Sequence, residues 1–370
     1  MKILFWVGYQ NPYWTKQTYL DNGIGGSEYC VLKLADYLDL KGHDVTISGD
    51  VNTGNYWGVK YINRGDLTKN LGPRGLTQPN DVQAYPHYDV VIATNYLHYI
   101  KHLEDLNIDF DRSYFWMHNE FFYKWYRGGE LHNWEQYLTH DKLNKIVGVS
   151  EYHEDILKNE FEALGYNNTQ LTTYIRSIDN AIDLNDYKNR KVLPKIKGRI
   201  VWTSSPDRGL DMILDNWSDW KIKRPDLTLA ICSPPYGEKW FKRDIKKLDG
   251  VEWLGAQNPD NLKNEIDKAE YWVYSSDYVE TYCISALEMM MGKVKILTNG
   301  TGNIMNLIGK GSRGEICDMN PDTIIDTLIK DTTDKTFSEA WMSKTKKAYT
   351  WASKQNWNTR TDEWLKMITK

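Results

Sequence analysis

Short apolar runs alternate with amphipathic stretches from one end of this chain to the other, and that alternation most limits how it can fold. Strand-sized runs occur at 3–7, 45–48, 89–93, 114–117 and 145–149, and again at 199–203, 227–232, 271–274 and 294–297. Between them lie stretches such as 27–40, where Val31, Leu34 and Leu38 recur at helical spacing. Ser27 stands there at the expected N-cap, and Gly42 follows the last turn. Strand–helix alternation of this kind predicts parallel sheets covered by helices, an α/β protein. With 370 residues, the chain exceeds the roughly 250–300 at which a single core stops growing, so two domains are expected.

The break is expected within residues 184–198, LNDYKNRKVLPKIKG, a polar and basic linker with Pro194 ahead of a new strand. This gives an N-terminal domain at 1–190 and a second domain from 191 onward. Residues 1–190 hold 18 Lys and Arg against 25 Asp and Glu, and the remainder holds 28 against 25. An anionic ligand is therefore expected mainly on the second domain, and the first lacks the basic footprint of a nucleic-acid binder. No apolar run approaches the ~20 residues a membrane span needs, and the polar, bulky residues after MKILFWVGYQ do not form a secretion signal. Cys30, Cys232, Cys283 and Cys317 are far apart with no Cys-x-x-Cys pair, which fits reduced thiols in a cytoplasm and neither a disulfide framework nor a zinc site.

Three segments carry residue types suited to chemistry. Gly23-Ile24-Gly25-Gly26-Ser27-Glu28 stands directly before a helical stretch. Glycines there let the backbone approach a ligand, and exposed N–H groups at a helix start favour an anion such as phosphate. A dinucleotide fingerprint needs a third glycine where Glu28 stands and a strand immediately before, so a nicotinamide enzyme, despite Asp50 after the second strand, is the weaker reading. Thr203-Ser204-Ser205-Pro206-Asp207-Arg208-Gly209-Leu210 joins a strand to a helix; its hydroxyls can donate and Arg208 can grip phosphate oxygens bidentately. Glu280 and Glu288 follow the strand YWVYSS. At about 100° per residue their spacing puts both near one helical face. There they would accept from paired sugar or ribose hydroxyls, with the N–H groups of Tyr282 and Cys283 left for phosphate. A Gly-rich turn, an N-capping loop with a solvated arginine and two surface glutamates are the plain structural alternatives.

Taken in order over most of residues 1–300, these segments resemble the family 4 retaining glycosyltransferases of the GT-B fold. The resemblance rests on Gly25-Gly26, Trp116-Met117-His118-Asn119, Val147-Gly148-Val149-Ser150 and Ile178-Asp179-Asn180-Ala181-Ile182-Asp183. It continues through the Arg208 loop, Val251-Glu252-Trp253-Leu254-Gly255, and the Glu280/Glu288 pair with Gly292 behind it. It implies two Rossmann-like domains facing each other across a cleft, the second at 191–347. A C-terminal helix in 348–370 would cross back onto the first domain through Trp351, Trp357 and Trp364. The implied activity is retaining transfer of a hexosyl or pentosyl unit from a UDP-, GDP- or ADP-linked donor to a glycan or other hydroxyl acceptor. No metal or other cofactor is implied, and the compartment is the cytoplasm.

By the same resemblance His118, Arg208 and Glu280 are catalytic. Arg208, Gly25, Gly26, Tyr282 and Cys283 meet the diphosphate, Ser204, Ser205 and Ile284 also bind the donor, Leu254 meets the base, Glu280 the sugar and Glu288 the ribose. The chain departs from the family at Thr203, where a second Arg is usual, at Ala181 in place of Gly, and at Cys232-Ser233-Pro234-Pro235-Tyr236 in place of small residues. The rival readings are a sugar phosphorylase or nucleotide-sugar epimerase of the same fold, and a non-catalytic nucleotide-sugar- or glycan-binding protein. Asp109-Phe110-Asp111 imitates a metal-binding pair but reads as a solvated loop, and Lys242, Arg243, Lys246 and Lys247 read as a basic helix face. Tyr9, Tyr13, Trp14, Trp116 and Trp125 could stack on an acceptor sugar, and core packing explains them about as well; His132, His140 and His153 read as ordinary histidines, and residues 50–86 match nothing.

Overall fold

The computed structural model describes residues 1–8, 13–67, 87–94, 98–120, 140–163 and 165–369; Tyr9, Trp125, His132 and residues 68–86 lie outside them. The chain divides into two compact units. Residues 1–17, 27–179 and 358–370 form the first, and 18–26 with 180–357 form the second.

The sheet of the first unit contains β1 (Lys2–Gly8), β2 (Asp44–Gly49), β3 (Gly54–Tyr56), β4 (Val59–Asn63), β5 (His87–Thr94), β6 (Asp109–Trp116), β7 (Leu143–Gly148) and β8 (Ile175–Ser177). Side by side they run β3-β4-β2-β1-β5-β6-β7-β8, and only β3 is antiparallel to its neighbour. Strands such as KILFWVG and HYDVVIAT are apolar almost throughout, as strands covered on both faces must be. Leu4, Trp6, Val91, Phe110 and Phe115 meet in one core. The helix Trp357–Ile368 is anchored here. The Trp364 ring meets Trp116 edge-on at 5.1 Å, Tyr114 donates its hydroxyl to the Met367 carbonyl at 3.2 Å, and Arg360 pairs with Asp179. Trp351 is no part of this anchor, because its ring lies in the second unit beneath the Arg313 guanidinium at 4.3 Å.

The second unit holds β9 (Arg199–Trp202), β10 (Thr228–Cys232), β11 (Val251–Gly255), β12 (Tyr271–Tyr274), β13 (Lys295–Thr298) and β14 (Glu315–Ile316). All are parallel, in the order β11-β10-β9-β12-β13-β14. This is a doubly wound sheet whose order reverses between β9 and β12, and such sheets bind ligands outside the carboxyl ends of the strands at that reversal.

Several expectations need correction. The division falls between Asp179 and Asn180, so residues 184–198 belong to the second unit. They are not a free tether: Arg190 and the Leu193 N–H both bond the Asp267 carboxylate, and Lys195 Nζ donates to the Gly292 carbonyl at 2.7 Å. The first long helix begins at Gly26, so Ser27 lies inside it, donating to Glu28 rather than capping. Asp109-Phe110-Asp111 opens strand β6 with Phe110 in the core, and residues 241–250 form no helix. Arg243 instead pairs with Asp211 and Asp215. Among the described residues no helix is long and apolar enough to cross a membrane.

Candidate active site

At the reversal of the second sheet, two loops bring opposite charges together. The loop after β9 makes a single 3₁₀ turn, Pro206–Arg208, and ends at Gly209 with φ +107°. A Cβ at Gly209 would stand 2.8 Å from the Ser275 carbonyl oxygen, so only glycine lets this turn press against the loop after β12. Arg208 is thereby aimed at Glu280: Nη1 donates to Oε1 at 3.1 Å, and the guanidinium lies 4.1 Å from the centre of the Tyr278 ring. Tyr274, the last residue of β12, donates its hydroxyl to the same Oε1 at 2.6 Å. Burial opposes the charge on Arg208. The carboxylate of Glu280 and the phenolic oxygens of Tyr278, Tyr236 and Tyr274 outweigh it, holding the guanidinium pKa above its usual value. The Glu280 backbone is clamped as well, since Asn303 N–H donates to its carbonyl at 2.8 Å and a Cβ at Gly302 would come within 2.6 Å of its nitrogen.

Directly after Glu280 the chain enters the helix Ile284–Met291 through Cys283, which sits at φ +76° as N-cap with no side-chain cap bond. Its first-turn N–H groups are those a helix leaves without an intrahelical acceptor, and they suit an anion. Glu280 precedes the cap and lies outside the helix, so the one-face reading of the 280/288 spacing fails; only Glu288 is helical. Glu288 is partly buried, and desolvation pushes its pKa up to about 7, with Lys263 opposing and Asp186 adding to the rise. Tyr19, from the segment 18–26 of this same unit, titrates well above its usual range through burial first, with Asp186 and Glu288 as the largest negative influences.

The remaining expected donor residues fall as follows. Gly25 is buried, and a Cβ on Gly26 would make only an ordinary 3.9 Å contact with Ile284 Cδ1. The glycine that cannot be replaced is Gly23, at φ +73°, where a Cβ would lie 2.5 Å from the Gln257 carbonyl oxygen. The Leu254 carbonyl accepts from Gln257 Nε2 at 2.6 Å. Ser204 and Ser205 are buried; the Ser205 hydroxyl, like that of Thr203, has no partner among the described residues. Tyr282 is buried, with its carbonyl bonded by Asn303 Nδ2 at 3.4 Å. Tyr274, Tyr278, Tyr19 and Gln257 escaped the sequence reading, which took Gly23 only as part of the glycine-rich turn. The available signal was a tyrosine closing a buried strand beside the reversal, because a buried phenol needs a partner.

In the first unit, His118 follows β6 with its ring 4.5 Å from that of Trp116. Burial first, and then the nearby His153, pull its pKa down to about 3. His153, buried on the helix Glu151–Ala163, is held at about 4 by burial, and its Nδ1 accepts the Val149 N–H at 3.3 Å. Both imidazoles are therefore neutral at physiological pH. A group able to hold a metal, His87, Asp89 and Asp111, has its ligand atoms within 4.8 Å of one another. It lies exposed near the N-terminal ends of β5 and β6, at the opposite end of the sheet from His118, and Asp109 already engages both His87 and Lys142.

Residues 196–348 match the family described as Glycosyl transferases group 1. That stretch contains Arg208, Glu280 and Glu288. The chain is also 27% identical over 143 residues to lipopolysaccharide 1,2-N-acetylglucosaminetransferase of Salmonella typhimurium, a match covering 35% of this chain and only 38% of that enzyme. Among solved structures it is similar to HepE of Anabaena in complex with UDP-glucose, with TM-score 0.67, 15% identity, and 100% and 99% of the two chains covered. TarM gives TM-score 0.67 at 12% identity, covering 100% and 99%, and sucrose-phosphate synthase of Thermosynechococcus elongatus 0.63 at 12%, covering 100% and 98%. At such identities the likeness is one of fold: an α/β architecture with two mainly parallel sheets, as in GT-B glycosyltransferase structures.

Proposed function

We propose that this chain is a metal-independent retaining glycosyltransferase of family 4 type, working in the cytoplasm. It would move a hexosyl or pentosyl unit from a nucleoside-diphosphate sugar to a hydroxyl acceptor. The observation that carries the reading is the placement of Arg208 and Glu280 at the carboxyl ends of β9 and β12, where the strand order reverses. The Salmonella relative, named for transfer of N-acetylglucosamine, and the UDP-glucose held by the Anabaena protein support a nucleotide-sugar as donor. Four free cysteines, all buried, suit a reducing compartment.

The hard step is breaking the anomeric C–O bond while negative charge grows on the diphosphate, and fixed donors aimed at that charge supply the largest share of catalysis. Arg208, the uncapped N–H groups of the helix Ile284–Met291, and the buried hydroxyls of Thr203 and Ser205 are such donors. Ionised Glu288 would accept the ribose hydroxyls, Glu280 the sugar hydroxyls, and neutral His118 would offer the sugar a hydrogen bond without a charge. A leaving phosphate oxygen would take the acceptor's proton on the face it departs from, which preserves configuration and leaves no step to a side-chain base. The test is nucleoside-diphosphate release from UDP-, GDP- and ADP-sugars in EDTA, with product configuration read by NMR. Release with configuration kept supports the proposal. Dependence on Mn²⁺, inversion, phosphate-dependent release of a sugar phosphate, epimerised donor, or nucleotide binding without turnover would each overturn it.

A further inference from the structure

Glu280 is held through only one of its two carboxylate oxygens. Oε1 accepts both the Tyr274 hydroxyl at 2.6 Å and Arg208 Nη1 at 3.1 Å, while Oε2 has no partner among the described residues. The phenol that fixes this asymmetry has no room to move. Tyr274 is fully buried, its ring centre 4.8 Å from that of Trp272 at 13° and 5.4 Å from that of Trp202 at 31°. Burial and the adjacent Glu280 charge keep the hydroxyl protonated, so it remains a donor at any working pH. Tyr278 covers one face of the guanidinium on the other side of the pair.

We propose, resting on the glycosyltransferase reading above, that Tyr274 is a positioning residue. Its hydroxyl would lock Glu280 Oε1 so that Oε2 is presented to the donor sugar and Arg208 to the diphosphate. A carboxylate anchored this way can rotate only by breaking the bonds to both Tyr274 and Arg208. Without the phenol it is tied to a single mobile cation and can follow Arg208 when a diphosphate draws that side chain away.

Tyr274→Phe separates this role from simple core filling, because the ring and its packing against the two tryptophans are kept. Positioning predicts a kcat ~10–100-fold lower with donor KM within about threefold, the range expected for losing a hydrogen bond to a charged group. It also predicts that Tyr274→Phe has no further effect in a Glu280→Gln background, since both changes act through one carboxylate. A folded Tyr274→Phe protein within twofold of wild type, or losses that multiply in the double variant, would overturn the proposal and leave the enzymatic reading standing. A wild-type protein that turns over no UDP-, GDP- or ADP-sugar overturns both. Should Tyr274→Phe fail to fold, the crystal structure of the wild type with its donor decides: Oε1 on Tyr274 and Oε2 on a sugar hydroxyl support the proposal, and a Glu280 turned away from Tyr274 refutes it.

Discussion

Ionisable groups withdrawn from water are treated in opposite ways at two places, one in each unit. Beyond β6 in the first, desolvation drives His118 and His153 to the neutral form, at about 3 and about 4. Beyond β9 and β12 in the second, Arg208 is also largely withdrawn from water yet keeps its charge, because Glu280 stands 3.1 Å away. Removing a charge from water is expensive unless an opposite charge answers it. His118 can therefore offer a hydrogen bond but no charge, whereas Arg208 keeps the charge that the proposed diphosphate leaving group calls for. Glu288 lies between these extremes, a carboxyl at about 7 with Lys263 as its main opposing influence.

The most severe way to break this contrast is to remove the cation that pairing with Glu280 preserves. Arg208→Ala is expected to lower kcat/KM by ~10²–10³, the usual loss for a donor aimed at developing charge. It also leaves the Glu280 carboxylate buried with Tyr274 as its main partner, so stability should fall by about 1–3 kcal/mol. Arg208→Lys keeps the charge but not the fork, and should lie between the two. Initial rates and thermal melts measure both effects, and a rate within tenfold of wild type for the alanine variant would show that the diphosphate is held elsewhere.

Glu288 sharpens the contrast through pH. Its carboxyl titrates at about 7 when folded against 4.5 for an ordinary glutamate, so between those values the folded chain holds a proton that the unfolded chain has released. The stability this group contributes is full below pH 4.5, declines as pH rises to 7, and is then lost. At about 1.4 kcal/mol per unit the total is at most ~3 kcal/mol. Glu288→Gln should accordingly melt higher than wild type at pH 8 and no higher at pH 4.5. The role proposed for Glu288 calls for the opposite form, because only the carboxylate would accept two ribose hydroxyls. Donor KM should therefore rise about tenfold per unit below pH 7, and the Gln variant should show a flat profile with ~10–100-fold weaker donor binding. Tighter donor binding on acidification would contradict this role.

His118 tests the neutral side. An imidazole at about 3 does not titrate between pH 5 and 9, so it should contribute no acid limb to the rate profile. His118→Gln, which keeps a neutral donor and acceptor, should reduce kcat by only ~10-fold, a single neutral hydrogen bond. A limb near pH 6 that disappears in this variant would mean that the imidazole is charged in the working enzyme.

What could be read from the sequence follows the same physics. β1, β2, β9 and β12 were legible because strands covered on both faces must be apolar along their length. The short edge strands β3, β8 and β14 were not, since two or three residues carry no periodicity and their pairing is decided by the neighbour. Arg208, Glu280 and Glu288 stood out as residue types in suggestive loops, but their separation onto a 3₁₀ turn, a loop and a helix was hidden, and arithmetic at helical spacing misplaced Glu280. Tyr274 was invisible for a different reason. A tyrosine in an apolar strand looks like core until the register of β12 against β9 shows where its hydroxyl ends. The basic stretch 184–198 looked like a solvated tether because its counter-charge, Asp267, is remote in sequence.

Backbone strain gives the mildest test of how the two units differ. In the second unit the left-handed residue Cys283 stands at the helix N-terminus beside Glu280. In the first, Trp57 at φ +52° and Gly58 at φ +95° form the two-residue turn between β3 and β4, a position where Asn-Gly is strongly favoured. The indole is 56% exposed, with Tyr56 stacked against it and Lys16 Nζ 5.2 Å from its ring. Asparagine tolerates a positive φ far better than tryptophan, and the stacking that the indole makes at this exposed turn is weak. Trp57→Asn should thus raise stability by up to ~1 kcal/mol, about 2–4 °C in melting temperature for a unit of this size, with kcat/KM unchanged. If the variant melts higher but loses activity toward the acceptor, the strain at this turn serves binding, and the first unit would contribute more to the reaction than neutral hydrogen bonds.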